Sequence, residues 1–186
     1  MIEKFIEDDV RTRLILSGIR EIEKNGINDF SLRRAAEAAG VSCAAPYRHF
    51  KSKEAYISAI YSYLSDMWSL FFFEIERSFP FNKKAVFKEA FLSNIKFWLA
   101  NKNLRAAIGF LDNDSEISLS RFDSKIFKAA EEYFAEVKKT KEETKIKVSL
   151  LRSALYGYIS LFDKNEDLSR EEYFKQIDKA LESVLS

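Results

Sequence analysis

The fold of this chain is decided by residues 31–53, which read SLRRAAEAAGVSCAAPYRHFKSK. Ser31 is suited to cap a short helix that runs to Ala39, because a serine hydroxyl accepts a hydrogen bond from a free amide of the first turn. Gly40 is expected to end that helix, since glycine adopts a positive φ at little cost. The small side chains of Ala35 and Ala36 would let a second helix approach closely.

A second short helix follows directly. Ser42 is suited to cap it, and it is predicted to span Cys43 to His49, with Val41 and Phe50 filling the space beneath. Two short helices joined by a glycine turn predict a helix-turn-helix. The small residues of the second helix would let its backbone lie close to base edges in a DNA major groove.

The positive charge of this segment is local. Residues 31–55 contain five basic and two acidic side chains, a net charge of 5 − 2 = +3, whereas the whole chain has 30 basic and 29 acidic residues and a net charge of +1. Phosphate neutralisation supplies most sequence-independent affinity for DNA. A basic patch is therefore predicted here, at Arg33, Arg34, Arg48, Lys51 and Lys53.

Helical periodicity continues on both sides of the segment. An apolar stripe predicts a helix from Val10 to Lys24, ended by Asn25 and Gly26, with the glycine in a left-handed cap. Ser52 is expected to cap a long helix that reaches about Phe73, with Glu54 in its first turn, where the helix dipole favours negative charge.

The rest of the chain is also predicted to be helical, with no convincing strand pattern and only 5 Gly and 2 Pro in 186 residues. Residues 79–82 are the clearest break, and residues 112–115 and 138–145 are predicted to be a loop and a solvated charged stretch. Further helices are predicted at Ala85–Ala100 and Ile126–Val137. Two amphipathic helices close the chain, with stripes from Leu150 to Phe162 and from Tyr173 to Leu185. The fold class is therefore all-α.

Composition excludes several classes of protein. A single cysteine, Cys43, excludes an internal disulfide, and no Cys/His set has zinc spacing, so neither a metal nor a cofactor is predicted. Cys43 lies near a helix start, which allows a redox switch, but a small residue tolerated at a groove-facing position is the preferred explanation. Residues 1–10 do not form a signal peptide, and no apolar run is long enough to span a membrane. We expect a cytoplasmic protein.

The motif resembles a known family. The run Ala39-Gly40-Val41-Ser42, followed by Tyr47-Arg48-His49-Phe50 and then Lys53-Glu54, is similar to the DNA-binding signature of the tetracycline-repressor (TetR) family. The resemblance covers about residues 31–55. It implies an N-terminal three-helix DNA-binding domain and a larger all-α domain that binds a small ligand and dimerises. We expect boundaries at 1–51 and 52–186, with residues 52–73 as the connecting helix.

The resemblance also assigns roles. Arg33 and Ser42 to Ala45 would face bases or nearby backbone, and Tyr47 would contact a base methyl or a phosphate. His49 and Lys53 would hold phosphates. The predicted DNA-binding set is Arg33, Arg34, Ser42, Cys43, Ala44, Ala45, Tyr47, Arg48, His49 and Lys53.

Two positions depart from the family pattern. Pro46 stands where the family has a larger apolar residue, and it removes an amide that would bond to the carbonyl of Ser42. A loosened first turn is the expected consequence. Ala35 stands where a larger aliphatic residue is usual.

Ligand-binding and dimer residues are expected in the second domain. Its many aromatic residues, Phe110 among them, suit either a plain core or an effector pocket, and the residues predicted to bind ligand are Asn94, Trp98, Arg105, Arg152 and Tyr156. Small residues at Ser153, Ala154 and Gly157 allow a close helix contact, and two helices from each subunit would form a two-fold four-helix bundle. The predicted dimer residues are Leu150, Ala154, Gly157, Tyr158, Ile177 and Leu181.

The predicted function is a ligand-responsive transcriptional regulator, a repressor by the default of the family, that binds a palindromic double-stranded DNA operator as a homodimer. Its effector is an unidentified small molecule, no membrane partner is expected, and the protein is not expected to be an enzyme. Three alternatives stay open: a small all-α enzyme, a non-specific DNA-binding protein, and a helical scaffold whose motif has lost its function.

Overall fold

The computed structural model describes residues 9–108, 120–162 and 169–186. The helices in these ranges, numbered here in chain order, are α1 (Val10–Asn25), α2 (Leu32–Ala38), α3 (Ala45–His49), α4 (Lys53–Ser78), α5 (Lys83–Ala100), α6 (Lys102–Ile108), α7 (Ser120–Glu136), α8 (Lys141–Leu161) and α9 (Arg170–Leu185). The described ranges contain no strand, and the predicted all-α class is confirmed.

Two of the three side-chain caps predicted from the sequence are confirmed. Ser31 accepts from the amide of Arg34 at the start of α2, and Ser52 accepts from the amide of Ala55 at the start of α4. The Ser52 hydroxyl also holds the pKa of the Glu54 carboxyl below its usual value. The break at residues 79–82 is confirmed as well, since the Asn82 side chain accepts from the Ala85 amide just inside α5.

Several helices differ from the sequence-based boundaries, among them α7, which begins at Ser120 rather than Ile126. The charged stretch predicted to be solvated at residues 138–145 is largely exposed, as expected, but the sequence analysis missed that α8 begins within it, at Lys141. Thr140 and Glu143 form a reciprocal capping box that stabilises this start. The short helix α6 was missed, and α4 continues to Ser78 rather than ending near Phe73. The predicted loop at 112–115 and the aromatic residue Phe110 lie outside the described residues.

The described chain divides into two compact units. The first contains the described residues of 1–67 and 101–120, and the second those of 68–100 and 121–186. Helix α4 contributes residues to both. This grouping does not test whether either unit folds alone, so the division at residues 51 and 52 stays a prediction.

The core of the first unit forms where α1 meets its neighbours. Leu14 and Ile22 are fully buried on α1, and the hydroxyl of Tyr56 donates to the Leu14 carbonyl. Burial raises the pKa of Tyr56 to about 12. Tyr61 donates in the same way to the carbonyl of Leu104, which connects α4 to α6. The buried tyrosines thus satisfy their polar ends on backbone carbonyls while their rings fill the core.

The second unit has an aromatic core and an ion-pair cluster at its rim. The Trp98 ring packs edge-to-face against Phe122 at 5.0 Å between centroids, and this contact joins α5 to α7. Lys88 lies 2.6 Å from Glu182 and 2.8 Å from Asp178, which connects α5 to α9. In the described part of the chain, no helix has both the length and the apolar character that crossing a membrane requires.

Candidate nucleic-acid interface

The turn between α2 and α3 has the geometry that the glycine predicts. Gly40 adopts φ 67°, its amide bonds to the carbonyl of Glu37, and the amide of Val41 bonds to the carbonyl of Ala36. These two bonds form a Schellman motif, which satisfies carbonyls left free at the end of α2. Gly26, which ends α1, also has a positive φ of 75°, but its ψ of 170° lies outside the left-handed helical region predicted for it.

Helix α3 is shorter than predicted and starts differently. It begins at Ala45, the N-cap position belongs to Ala44, and no side chain caps this end, so the capping role predicted for Ser42 is wrong. Pro46 lies in the first turn, where the missing amide would have no intrahelical partner. The expected loosening by Pro46 is therefore absent, and the fixed φ of proline suits this position.

The buried side of α3 is anchored in the first unit. Phe50 is buried and stacks on the ring of Tyr56, with 4.3 Å between centroids and 15° between ring planes. Ala45 is buried too, which differs from its predicted role, since it has almost no surface left for a base or phosphate. These contacts fix one side of α3 against the core and leave the opposite side to solvent.

The exposed side of α3 carries most of the predicted DNA-binding set. Tyr47 is 68% exposed although it is a large aromatic residue. The other exposed members on or beside α3 are Ser42, Cys43, Ala44, Arg48 and His49. We define this set, together with Arg33 and Lys53, as the reading face.

The two adjacent arginines of α2 have different environments. The side chain of Arg33 is 78% exposed and pairs only with Glu37, one turn along the same helix, at 3.0 Å. Arg34 instead donates from Nε to the carboxylate of Glu21 at 2.6 Å and from Nη2 to the carbonyl of Asp29. The Glu21 side chain is only 9% exposed, so one end of the Arg34 side chain is held by a buried carboxylate although half of that side chain is exposed. Arg33 is thus the more exposed arginine of this pair.

Two lysines lie shortly after α3 in the chain, and one of them, Lys53, belongs to the reading face. The Nζ of Lys53 lies 3.4 Å from the carbonyl of Ile27 and 5.6 Å from the centroid of the Phe30 ring, so its position is fixed at the start of α4. Lys51 is exposed beside it. At the start of α1, Asp9 caps the helix, and the amide of Arg11 holds the pKa of its carboxyl below the usual value. The face therefore combines exposed small residues, an exposed aromatic ring and cations held by the fold.

The residues that sequence reasoning missed are internal supports. Glu21 binds both Arg34 and Asn25, and Asn103 on α6 donates to the carbonyl of Glu23 at 2.7 Å. The apolar stripe of α1 gave no signal for Glu21, because an isolated glutamate on a helix is normally solvated.

The predicted dimer residues divide into two groups. Ile177 and Leu181 on α9 are buried by helices of the same chain and offer no surface to a partner. Leu150 on α8 is 56% exposed, Ile146 and Leu161 are also exposed, and a Cβ added to Gly157 would meet nothing within 4 Å. Positions 146, 150, 153, 157 and 161 share one side of α8, because their spacings of three and four residues follow the helical repeat. We call this set the α8 stripe.

The predicted ligand-binding residues also fall in different places. Asn94, Trp98, Arg152 and Tyr156 belong to the second unit, whereas Arg105 lies on α6 in the first. Asn94 and Trp98 are buried, and Asn94 Nδ2 and Trp68 Nε1 have no hydrogen-bond partner among the described residues. Buried donors are rarely left without an acceptor in proteins. Each of these two donors would therefore be stabilised by an acceptor on a ligand or on water.

Comparison with known families identifies the N-terminal segment. Residues 14–60 match the model of the family described as bacterial regulatory proteins, tetR family. The match covers α1, α2, α3 and the start of α4, which are the helices that form the reading face and its support.

Solved structures share the overall fold. A protein of unknown function from Rhodococcus sp. RHA1 is 18% identical, with a TM-score of 0.76 over 95% of this chain and 94% of that one. The transcriptional regulator FadR from Bacillus subtilis, in complex with stearoyl-CoA, is 14% identical, with a TM-score of 0.65 over 94% of this chain and 97% of that one. No curated protein matches this sequence. At these identities the structural neighbours establish the fold alone.

Proposed function

We propose that this chain, whose residues 14–60 match the model of the tetR family of bacterial regulatory proteins, represses transcription by binding a two-fold symmetric operator as a homodimer. The observation that carries the proposal is the exposed reading face on α3. A large aromatic side chain, small residues and cations all face solvent on one short helix whose opposite side is anchored by Phe50. That combination suits a helix that enters the major groove.

The reading face divides the work of binding. Arg33 and Tyr47 would reach base edges or the adjacent backbone, and His49 and Lys53, together with the neighbouring Lys51, would neutralise phosphates. Contacts to phosphate position the protein, whereas contacts to bases specify the sequence. An architectural or non-specific DNA-binding protein would need the cations that neutralise phosphates but not the side chains that reach base edges.

Dimerisation through the α8 stripe supports this function. The stripe exposes Ile146, Leu150 and Leu161 around the small residue Gly157, so a second copy can pack its own α8 closely against it. A self-complementary patch of this kind suits two-fold symmetry. Two copies would present two reading faces to half-sites about 34–36 Å apart, one turn of DNA.

An effector would act through the second unit. The unpaired donors Asn94 Nδ2 and Trp68 Nε1 lie in this unit, and α4 continues from the first unit into it. FadR of Bacillus subtilis is described in complex with stearoyl-CoA, which shows that this fold accommodates a small-molecule ligand in that regulator. A ligand that binds one conformation of the second unit more tightly would shift DNA affinity by no more than that difference in binding free energy.

Selection of DNA tests the proposal directly. The purified protein is incubated with random duplexes, the bound fraction is sequenced, and affinities are measured by fluorescence anisotropy against bulk DNA. We expect an enriched inverted repeat that is bound about 10³-fold or more above bulk DNA. Tyr47→Ala should reduce this ratio, whereas Tyr63→Ala, a half-exposed tyrosine of α4 outside the reading face, should leave it unchanged. No enrichment, or equal losses in both variants, would refute specific recognition by α3.

A further inference from the structure

A cleft of about 500 Å³ lies between α7 and α8 in the second unit. It is distinct from the reading face, the α8 stripe and the unpaired donors. Its walls are formed by Glu131, Ala135, Lys139, Lys141, Thr144, Lys145, Val148, Ser149 and Arg152.

The charge of the cleft is strongly unbalanced. Four cations and one carboxylate line it, which gives 4 − 1 = +3. Among the described residues, no carboxylate lies within 4.0 Å of the charged nitrogens of Lys141, Lys145 or Arg152. Lys139 is partly committed, because its Nζ lies 3.4 Å from the carbonyl of Ser186. An anion in the cleft would therefore meet three cations that form no close ion pair with a carboxylate of the described residues.

A polar cluster lies next to Arg152, on the same two helices as the cleft. On α7, Asp123 and Phe127 precede Glu131 at intervals of four residues, so all three lie on the same side of the helix. Tyr156 and Arg152 lie on α8. The Tyr156 hydroxyl donates to Asp123 Oδ2 at 2.6 Å, and the Arg152 guanidinium lies 4.7 Å from the centroid of the Phe127 ring. Arg152 is thus both a wall of the cleft and a neighbour of the buried cluster.

The buried cluster holds Arg152 in position. Asp123 is only 2% exposed, and its Oδ1 has no hydrogen-bond partner in the described part of the chain. Burial raises the pKa of the Asp123 carboxyl, and the Tyr156 hydroxyl and the charge of Arg152 oppose that rise. The attraction of this carboxylate and the face of Phe127 both favour the observed position of the guanidinium. A cation that is ordered in advance loses less entropy when a ligand binds.

We propose that the α7–α8 cleft binds a small multivalent anion that carries phosphate or carboxylate groups, with Arg152 as its oriented bidentate donor and Lys141 and Lys145 as point charges. The planar guanidinium suits two oxygens of one such group, and the lysines, one turn apart on α8, suit a second group. Val148 and Ala135 leave room for a short carbon skeleton between the charged groups.

Binding of two probe anions tests the proposal without any DNA, so its failure would be separable from a failure of the proposed function. Isothermal titration of the full chain uses pyrophosphate and citrate at constant ionic strength, and the stronger of the two identifies the preferred group. We expect saturable one-to-one binding that weakens at least tenfold in Lys141→Ala/Lys145→Ala and in Arg152→Ala. Thermal melts check that both variants are folded. If Arg152→Ala is not folded, the test rests on the lysine variant alone.

A matched control separates the cleft from general surface charge. Lys175 and Lys179 are also exposed and one turn apart, but they lie on α9 outside the cleft. Lys175→Ala/Lys179→Ala should bind both probes as the natural protein does. The proposal would be overturned if neither anion showed saturable binding, or if the α9 control lost binding to the same extent as the cleft variants.

Discussion

The reading face and the α8 stripe are both exposed surfaces that need a partner, yet they are built in opposite ways. The reading face is polar and basic, and its residues lie within one short stretch of sequence around α3. The α8 stripe is apolar, and its residues are spread over four turns of one helix, from Ile146 to Leu161. The first suits a highly charged ligand such as DNA, and the second suits an identical copy of itself.

The difference lies in how each surface is supported. The position of the reading face depends on a left-handed glycine, a partly buried ion pair and an aromatic stack, which are Gly40, Arg34–Glu21 and Phe50–Tyr56. The stripe depends only on regular helix geometry and on the buried side of α8. Substitutions in these supports should therefore damage the reading face as much as substitutions in its own side chains. The α8 stripe should be damaged only by substitutions in its own side chains.

The largest expected effect comes from a charge placed in the stripe. Leu150→Glu puts a carboxylate at the centre of the proposed dimer contact, where it would be desolvated without a partner. We expect a monomer by sedimentation equilibrium and a loss of operator affinity on the order of 10³-fold, because only one half-site is then engaged. Ser149→Glu adds the same charge at the neighbouring exposed position, which faces the α7–α8 cleft, and should remain dimeric. If the Leu150→Glu protein is still a dimer, the α8 stripe is not the dimer contact.

The adjacent arginines of α2 give the next largest contrast. Arg34→Ala leaves the carboxylate of Glu21 without its cation, so we expect the free energy of unfolding to fall by about 1–3 kcal/mol in urea titrations. The lower half of that range is favoured, because half of the Arg34 side chain is exposed and water screens the pair.

Arg33→Ala should behave in the opposite way. Its exposed pair with Glu37 contributes roughly 0–0.5 kcal/mol, so stability should hardly change. Affinity for DNA should fall, and if Arg33 contacts a phosphate the slope of log affinity against log salt should decrease by about 1. If Arg33→Ala unfolds the protein while Arg34→Ala only weakens DNA binding, the assignment of the two residues is reversed.

A smaller effect isolates the backbone of the turn. Gly40→Ala meets no atom within 4 Å, so its expected loss of about 1 kcal/mol arises from the positive φ alone. Gly157→Ala also meets no atom within 4 Å, but in regular helix it should stabilise the chain by roughly 0.5–1 kcal/mol. Both are measured by chemical unfolding in the Leu150→Glu background, where loss of dimer packing does not contribute. The same sign for both substitutions would contradict the comparison.

The smallest effect concerns acid stability at the rim of the second unit. Hydrogen bonds from the ammonium groups of Lys84 and Lys88 lower the pKa of Glu182 from 4.5 to about 2. Because the folded-state pKa is depressed, the stabilisation is complete above pH 4.5 and is lost as the pH falls towards 2. Glu182→Gln should therefore flatten the stability profile between these values. Glu171→Gln, which removes an exposed pair within one helix, is the control, and an identical profile for both would refute the cluster.

Much of the first unit could be predicted from the sequence, because its helix caps and turn depend on residues that are close together in the chain. Ser31, Gly40 and Ser52 act through bonds to residues within four positions, and their roles follow from backbone chemistry alone. The failures in the same unit are also instructive: Ala44 rather than Ser42 occupies the N-cap of α3, since Pro46 already suits the first turn without a side-chain cap. The sequence also showed no sign that Arg34 pairs with Glu21, because that partner lies 13 residues away, on another helix; the predicted contact of Arg34 with DNA stays a prediction.

The second unit was less predictable because its important contacts are distant in sequence. Ile177 and Leu181 were assigned to the dimer from an apolar stripe, and no local pattern distinguishes a stripe that faces α5 and α8 from one that faces a partner. Asp123 gave no signal, since its partner Tyr156 lies 33 residues later. The start of α8 was predictable in principle, because Thr140 followed by Glu143 is the sequence signature of a capping box.

The length and symmetry of the DNA that the purified protein protects from cleavage test the central claim most directly. Two reading faces carried by a two-fold dimer predict a symmetric footprint with half-sites one helical turn apart, about 34–36 Å, and two chains in each complex. A single asymmetric footprint with one chain in each complex, or no protected DNA at any salt concentration, would contradict it.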